Sequence, residues 1–330
     1  MRAAVCHSYG PPDVVQLEDV PSPTVAAGEV RVRVAAAAVN FPDVLVVANE
    51  YQVKVATPFV PGSEFAGVVD AVGDGVTDVA AGDRVFGTVL VGAFAEAVAV
   101  PSASVTPVPD GVDDDVAAAF GVAHRTAYHV LRSVARLQPG EELIVLGAGG
   151  GVGLAAVQLG SILGASVTAV ASSTEKLDAA ASNGARVLVN HQASDLRQAL
   201  REAVPGGADV VVDPVGGQLA EPALRSLRWG GRFVTVGYAS GIIPRIPLNL
   251  VLLKGVHVLG FEFRGFATNA PDEVRRNEDE LLQLLASHRA APHIGARFAL
   301  DDVVAAMRFV ADGRAIGKVV LDIDGGPARA

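Results

Sequence analysis

Residues 146–153 read LGAGGGVG, with the apolar run ELIVL ending at 146 and LAAVQLGSIL following from 154. Five glycines in eight residues leave most of a turn without side chains. A strand-like run before and a helix-like run after give the three-residue spacing of Gly147, Gly150 and Gly153 a physical reading. The first glycine permits a tight exit from the strand. The second lets backbone approach a pyrophosphate, and the third lets the helix pack closely on the sheet. Free N–H groups at the helix start then face the anion. A Walker loop is excluded, since no Gly-Lys-Ser/Thr follows. A tight βα turn without a ligand is the alternative reading.

Outward from the loop, strand and helix alternate. Strand candidates lie at 143–147, 166–170, 186–190, 209–213, 232–237 and 256–260, and helical stretches such as 174–184 and 193–204 separate the first five. Six apolar strands alternating with helices predict an α/β fold, a doubly wound parallel sheet covered on both faces. The stretch 113–137 reads as a helix with Asp residues in its first turn and QPGE marking its end. Before about residue 119 the texture is all-β: EVRVRVAAAAVN, FAGVVDAVGDGV, AAGDRVFGTVL and GAFAEAVAVP alternate apolar and polar residues between Gly-Asp and Pro punctuation. The tail is mixed, with an amphipathic helix near 271–289, HIGARFAL, the helix DDVVAAMRFVADG and a last strand, KVVLDI. That last strand is expected to complete the first domain. The chain is thus read as a β-rich domain, 1–119 with 262–330, interrupted by a doubly wound domain, 120–261. The terminal GGPARA is expected to be disordered.

Of the 330 residues 50% are hydrophobic, enough for large cores, yet no uninterrupted apolar run approaches the roughly 18–20 residues of a membrane span. The start, MRAAVCHSYGPPD, lacks the apolar stretch of a signal peptide, so a soluble, cytoplasmic protein is expected. Net charge is −10 and the lysines (Lys54, Lys176, Lys254, Lys318) are scattered, which argues against nucleic acid as a partner. A single cysteine, Cys6, excludes an intramolecular disulfide and a cysteine-rich zinc site.

The second strand decides which dinucleotide the loop would hold. NAD sites place Asp or Glu at its end to bind the ribose 2′-hydroxyl. Here Ala171 and Ser172 stand at that place, and Ser172, Ser173 and Lys176 offer hydroxyls and a cation suited to a 2′-phosphate. Glu175 is expected to point to solvent. NADPH is therefore expected rather than NADH.

Taken together, GEVRVRVAAAAVNFPDVLV, PFVPGSEFAGVVDAVGDGV, AGDRVFG, GAFAEAVAVP, GAGGGVGLAAVQL, DVVVDPVGG and AIGKVVLDI resemble the zinc-independent quinone oxidoreductase group of the medium-chain dehydrogenase/reductases over essentially the whole chain. The resemblance implies a Rossmann domain inserted in a GroES-like catalytic domain. Zinc-dependent members of that superfamily carry Cys where this chain has Asn40, and Gly-His-Glu where it has Gly62-Ser63-Glu64. Their further ligand, a cysteine near the domain crossing, meets no counterpart in AAAFGVAHRTAY, their four-cysteine lobe is absent, and the histidines show no ligand spacing, so a metal-free protein is expected. The Tyr-x-x-x-Lys pair of another reductase class is also missing.

By the same resemblance, Gly150, Gly151, Val152 and Gly153 contact the pyrophosphate, and Ser172, Ser173 and Lys176 surround the 2′-phosphate. His191 replaces a tyrosine near the adenosine. Val215 with Gly216, then Gly237, Tyr238 and Ser240, follow strand ends where ligands lie, and Thr126, Phe261 and Phe263 flank the nicotinamide. Asn40, Asp43 and Tyr51 fall near the acceptor pocket as candidate catalytic residues, although Asn40 and Asp43 equally suit a helix cap. Glu64 is given a structural role. The implied activity is hydride transfer from NADPH to a quinone-type acceptor in the inter-domain cleft. Reduction of α,β-unsaturated ketones, aldehydes or acyl thioesters is the alternative, and an NADPH-binding structural or sensor protein a second one. A homodimer through GVHVLGFEF is the family expectation.

Overall fold

Short β-branched runs and the punctuation between them produce fifteen strands among the described residues, 1–324, of the computed structural model. In chain order they are β1 (Arg2–Cys6), β2 (Val15–Asp19), β3 (Glu29–Val39), β4 (Glu64–Val72), β5 (Arg84–Thr88), β6 (Ala97–Pro101), β7 (Val105–Pro107), β8 (Glu142–Leu146), β9 (Ser166–Ala171), β10 (Val187–Asn190), β11 (Ala208–Asp213), β12 (Leu227–Thr235), β13 (His257–Gly260), β14 (Ile294–Ala299) and β15 (Lys318–Asp322). The expectation for GGPARA, 325–330, lies outside the described residues. The chain divides into two compact units, Met1–Val122 with the described residues from Ile294 onward, and Ala123–His293.

The first unit is organised on β3, whose sequence EVRVRVAAAAV alternates and then becomes uniformly small and apolar. The alternating half keeps one face toward solvent, and the Ala-Val half is covered on both. β3 pairs antiparallel with β4, β6 and β15, and the sheet runs β14-β15-β3-β4-β5-β7 with β6 on β3. The C-terminal strand therefore closes the N-terminal sheet, as its sequence position suggested. Phe65, Phe94, Val32, Leu321 and Met307 are buried together in this core.

In the second unit the order is β10-β9-β8-β11-β12-β13, with every pairing parallel. β8 to β10 lead one way and β11 to β13 the other, so the strand order reverses between β8 and β11. Ligands of such sheets gather at that switch point, beyond the strand carboxyl ends. The strand cores are continuous apolar runs because helices cover both sheet faces.

The structure departs from the sequence reading in three places. The helix expected over 113–137 breaks into Asp114–Ala118 and Gly121–His129, followed by a wider turn over Val130–Val134. The Val122 N–H is donated to the Glu64 carboxylate at 2.7 Å, which takes it out of a continuous helical ladder. The fifth sheet strand starts at Leu227, five residues early, and bulges between Leu227 and Arg232, where its pairing with β11 resumes. The segment 262–293, expected with the first unit, packs in the second. Its helix Pro271–Ala286 is tied to 123–134 by Arg125–Glu278, Tyr128–Glu280 and Asn277–Ser133 contacts.

Candidate functional site

β8 ends at Leu146 and the chain turns at Gly147, whose φ of +60° is left-handed. A side chain on Gly147 would meet Val215 at 2.5 Å. The Gly147 carbonyl accepts the Gly150 N–H at 3.0 Å, and a β-carbon on Gly153 would collide with that same carbonyl oxygen. Gly147 and Gly153 thus do what their spacing suggested, turning the chain and seating the helix Gly151–Ile162 against the strand exit. The first intrahelical bond is Leu154 N to Gly150 O at 2.8 Å. The N–H groups of Gly151, Val152 and Gly153 precede it, so they have no acceptor within the helix and stand ready for an anion.

Beside this loop the second and third strand ends meet. Ser173 caps the helix Thr174–Ser182, its hydroxyl accepting the Lys176 N–H. The aliphatic stem of Lys176 lies over Gly149, where a β-carbon would meet it at 2.5 Å. The His191 N–H donates to the Ala171 carbonyl at 3.1 Å. Burial, and then the Lys176 charge, hold the His191 imidazole below its ordinary pKa. Ser172, Ser173, Lys176 and His191 are therefore neighbours at one end of the loop. Glu175 is exposed, and a hydrogen bond from Ser173 holds its carboxyl below the ordinary value.

Across the switch point, Asp213 organises the fourth strand end, a role not read from sequence. It is fully buried, and its Oδ1 accepts the N–H groups of Val215 and Gly216, each at 2.8 Å. Its Oδ2 has no hydrogen-bond partner among the described residues, and burial raises its pKa. The loop after β12 is stitched to this one by Ala239 N to Pro214 O (3.2 Å) and Ser240 N to Val215 O (3.0 Å). Val215, Gly237, Tyr238 and Ser240 are thereby brought together. Phe261 and Phe263 form a further cluster with His129 (ring centroids 6.2 and 5.6 Å), and Arg125 lies over Phe263 at 4.5 Å. Thr126 is half-buried on the helix that carries Arg125 and His129. The His129 Nδ1 faces Asn277 at 3.0 Å.

The first unit contributes a separate polar cluster. Asp43 lies in the first turn of the helix Phe41–Val47 and its carboxylate accepts the Asn40 N–H at 2.7 Å. That is the capping arrangement weighed above. The Asn40 amide donates to Glu64 (2.9 Å) and Ser63 (3.2 Å), and its oxygen accepts from Lys318 Nζ at 2.5 Å. Lys318 also pairs with Glu64. Lys318 was not read as a site residue. Its signal was a lone cation opening an otherwise apolar strand, KVVL. Tyr51 follows the helix end, donates its N–H to Leu45 O at 3.1 Å and packs half-buried against the apolar core.

Residues 151–286 match a family profile described as "Zinc-binding dehydrogenase", and residues 26–110 one described as "Alcohol dehydrogenase GroES-like domain". Over 324 residues the chain is 38% identical to quinone oxidoreductase-like protein 2 of Bos taurus, covering 98% of this chain and 92% of that one. The quinone oxidoreductase of Thermus thermophilus, solved also in complex with NADPH, aligns with a TM-score of 0.85 at 33% identity, covering 98% of this chain and all (100%) of that one. Escherichia coli quinone oxidoreductase complexed with NADPH aligns with a TM-score of 0.91 at 27% identity, over 98% and 100% of the two chains.

The first profile's description names zinc, and the residues here do not fit it. Asn40 and Glu64 are both engaged by the Lys318 ammonium, a buried positive charge that would repel a second cation. Among the described residues no three His, Cys, Asp or Glu side chains gather into a ligand set, and no helix is long and apolar enough to cross a membrane.

Burial pushes the Asp43 pKa from 3.8 up to about 7, against hydrogen bonds from Ser63 and Asn40 and the Lys318 charge, which lower it. Between about pH 4 and 7 the native state then holds a proton that the unfolded chain has released. Stability should fall as pH rises through that window and level off above it. Asp43→Asn removes the titration, so its stability relative to wild type should increase from pH 4 to 7, by roughly 4 kcal/mol at most. Urea denaturation across pH measures this; a flat difference would assign Asp43 an ordinary carboxylate.

Proposed function

Since the chain belongs to the quinone oxidoreductase-like group of the medium-chain dehydrogenase/reductases, we propose that it binds NADPH on the parallel-sheet unit and reduces a quinone-type acceptor. The observation that carries the cofactor reading is the end of β9. There a carboxylate is replaced by Ser172 and Ser173, with Lys176 folded back over Gly149 and His191 alongside. These groups suit a 2′-phosphate, which an acid at Ala171 would repel. The open N–H groups of Gly151, Val152 and Gly153 suit the pyrophosphate, and Gly150 leaves the backbone bare beside them. Val215, Gly237, Tyr238 and Ser240 form the wall past the switch point, and Thr126, Phe261 and Phe263 the apolar end for the nicotinamide.

When bound, NADPH supplies the hydride. The chain's part is to orient it and the acceptor and to exclude water, which suffices for a quinone, an acceptor that takes hydride without prior acid catalysis. In the first unit, Asn40 and Asp43 shape the helix start, and the Tyr51 phenol at the helix end is the group suited to deliver a proton. That proton is needed at carbon only when the acceptor is an enone or an unsaturated acyl thioester.

Edge strand β13 bears Val258 at 46% exposure, and Trp229 (83%), Leu248 (80%), Leu252 (80%) and Leu253 (75%) project from the adjoining β12 and the helix Leu248–Lys254. A paired second copy would cover both the open strand edge and these side chains.

Steady-state NADPH oxidation with a benzoquinone series and with enones tests the activity. Quinone turnover at least 10-fold better in kcat/KM is expected. Inactivity with quinones beside robust enone turnover moves the assignment to enone reduction, and tight NADPH binding without oxidation by any acceptor marks a non-catalytic protein. Lys176→Ala should raise KM for NADPH by about 10- to 100-fold, a lost charged contact or two, while changing KM for NADH little. Sedimentation should give a dimer, and Val258→Lys with Leu252→Lys should give a folded monomer.

A further inference from the structure

The first unit buries an ion pair where its zinc-dependent relatives keep a metal. Glu64 is 0% exposed, Lys318 3% and Asn40 7%. Lys318 Nζ reaches Asn40 Oδ1 at 2.5 Å and pairs with Glu64 Oε1, while Glu64 Oε2 accepts the Val122 N–H at 2.7 Å. Asn40 Nδ2 donates to Glu64 Oε1 and Ser63 Oγ. Every partner of the ammonium is thus an oxygen acceptor, and the Asn40 amide has only one orientation that satisfies both neighbours. We propose that Lys318 is the resident cation of this cluster, its ammonium holding the place that a divalent ion would take if positions 40, 63 and 64 carried metal ligands.

Charge counting supports the ammonium. An amide and a carboxylate match a single positive charge, so the buried set of Asn40, Glu64 and Lys318 is neutral as it stands. Neutrality matters here because an uncompensated charge at this burial is strongly disfavoured. Ser63 in place of His fits as well, since its hydroxyl accepts from the Asn40 amide and brings no ligand for a metal. It follows that restoring the ligands alone does not restore a metal site: the ammonium must leave as well.

Cobalt(II) is the probe, since a cysteine-bound cobalt ion absorbs in the visible and near ultraviolet. Asn40→Cys/Ser63→His with Lys318 retained should show no thiolate–cobalt absorption. With Lys318→Met added, the chain should bind one cobalt ion at least 100-fold more tightly. Equal binding by the two variants overturns the proposal. A second measurement stands on the otherwise unaltered chain, should the triple variant fail to fold. Lys318→Ala should regain melting temperature in n-propylammonium, which replaces the missing side-chain atoms and charge, and not in 1-propanol at the same concentration. Equal recovery in both would show that the position needs volume rather than charge, and would overturn the proposal. Neither readout uses turnover, so both are independent of the acceptor assignment.

Discussion

A β-carbon on Gly153 would collide with the carbonyl oxygen of Gly147, and the carboxyl edge of the parallel sheet depends on the close approach that its absence allows. Only with this contact does the helix Gly151–Ile162 begin directly beyond β8, at the point where the strand order reverses. The same turn places Gly147 against Val215, so the exits of β8 and β11 are fitted to each other. Asp213 then fixes the other side, because its buried carboxylate ties down the N–H groups of Val215 and Gly216. A helix N-terminus is a general anion site. Beside this one lies the neighbouring strand end, where the Lys176 stem is packed back across Gly149.

Much of this was legible because it is local. The parallel sheet reads from sequence because each strand is a short, continuous apolar run between helices, a pattern with few other solutions. Ser172, Ser173 and Lys176 follow from the end of the second strand and His191 from the family resemblance, and the parallel pairing of β9 with β10 brings the two ends together. The failures are non-local. The helix at 113–137 breaks where a carboxylate from residue 64 captures the Val122 N–H, 58 positions away. The early start of β12 rests on Leu227 pairing with Ala208 of β11, a contact across the sheet that the local sequence does not signal. Lys318 meets Asn40 across 278 positions, and no spacing rule connects the two.

Asn40 and Asp43 show how one pattern supports two readings. An Asn followed three residues later by Asp, with Pro42 in the first turn, signals a cap, and the Asp43 carboxylate does accept the Asn40 N–H. The cap and the acceptor-side reading are not rivals of equal weight once the side chains are placed. The Asn40 oxygen is taken by Lys318 and its nitrogen by Glu64 and Ser63, so any further contact of that amide requires breaking this network.

Burying Lys318 against Glu64 needs a reason other than stability. Desolvating two charges costs about as much as their attraction returns, and apolar side chains of similar volume would serve a core at least as well. Specificity supplies the reason. The pair dictates which way the Asn40 amide faces, and Asn40 begins the helix Phe41–Val47 that leads to Tyr51. Through its second oxygen Glu64 also sets where the helix Gly121–His129 begins. An apolar replacement could fill the volume, but it would leave the Asn40 amide and the Val122 N–H without acceptors or donors of defined direction, and both helices would lose the contact that registers their starts. The ion pair is therefore the element of the first unit that fixes the direction of the Asn40 amide and of the Val122 N–H.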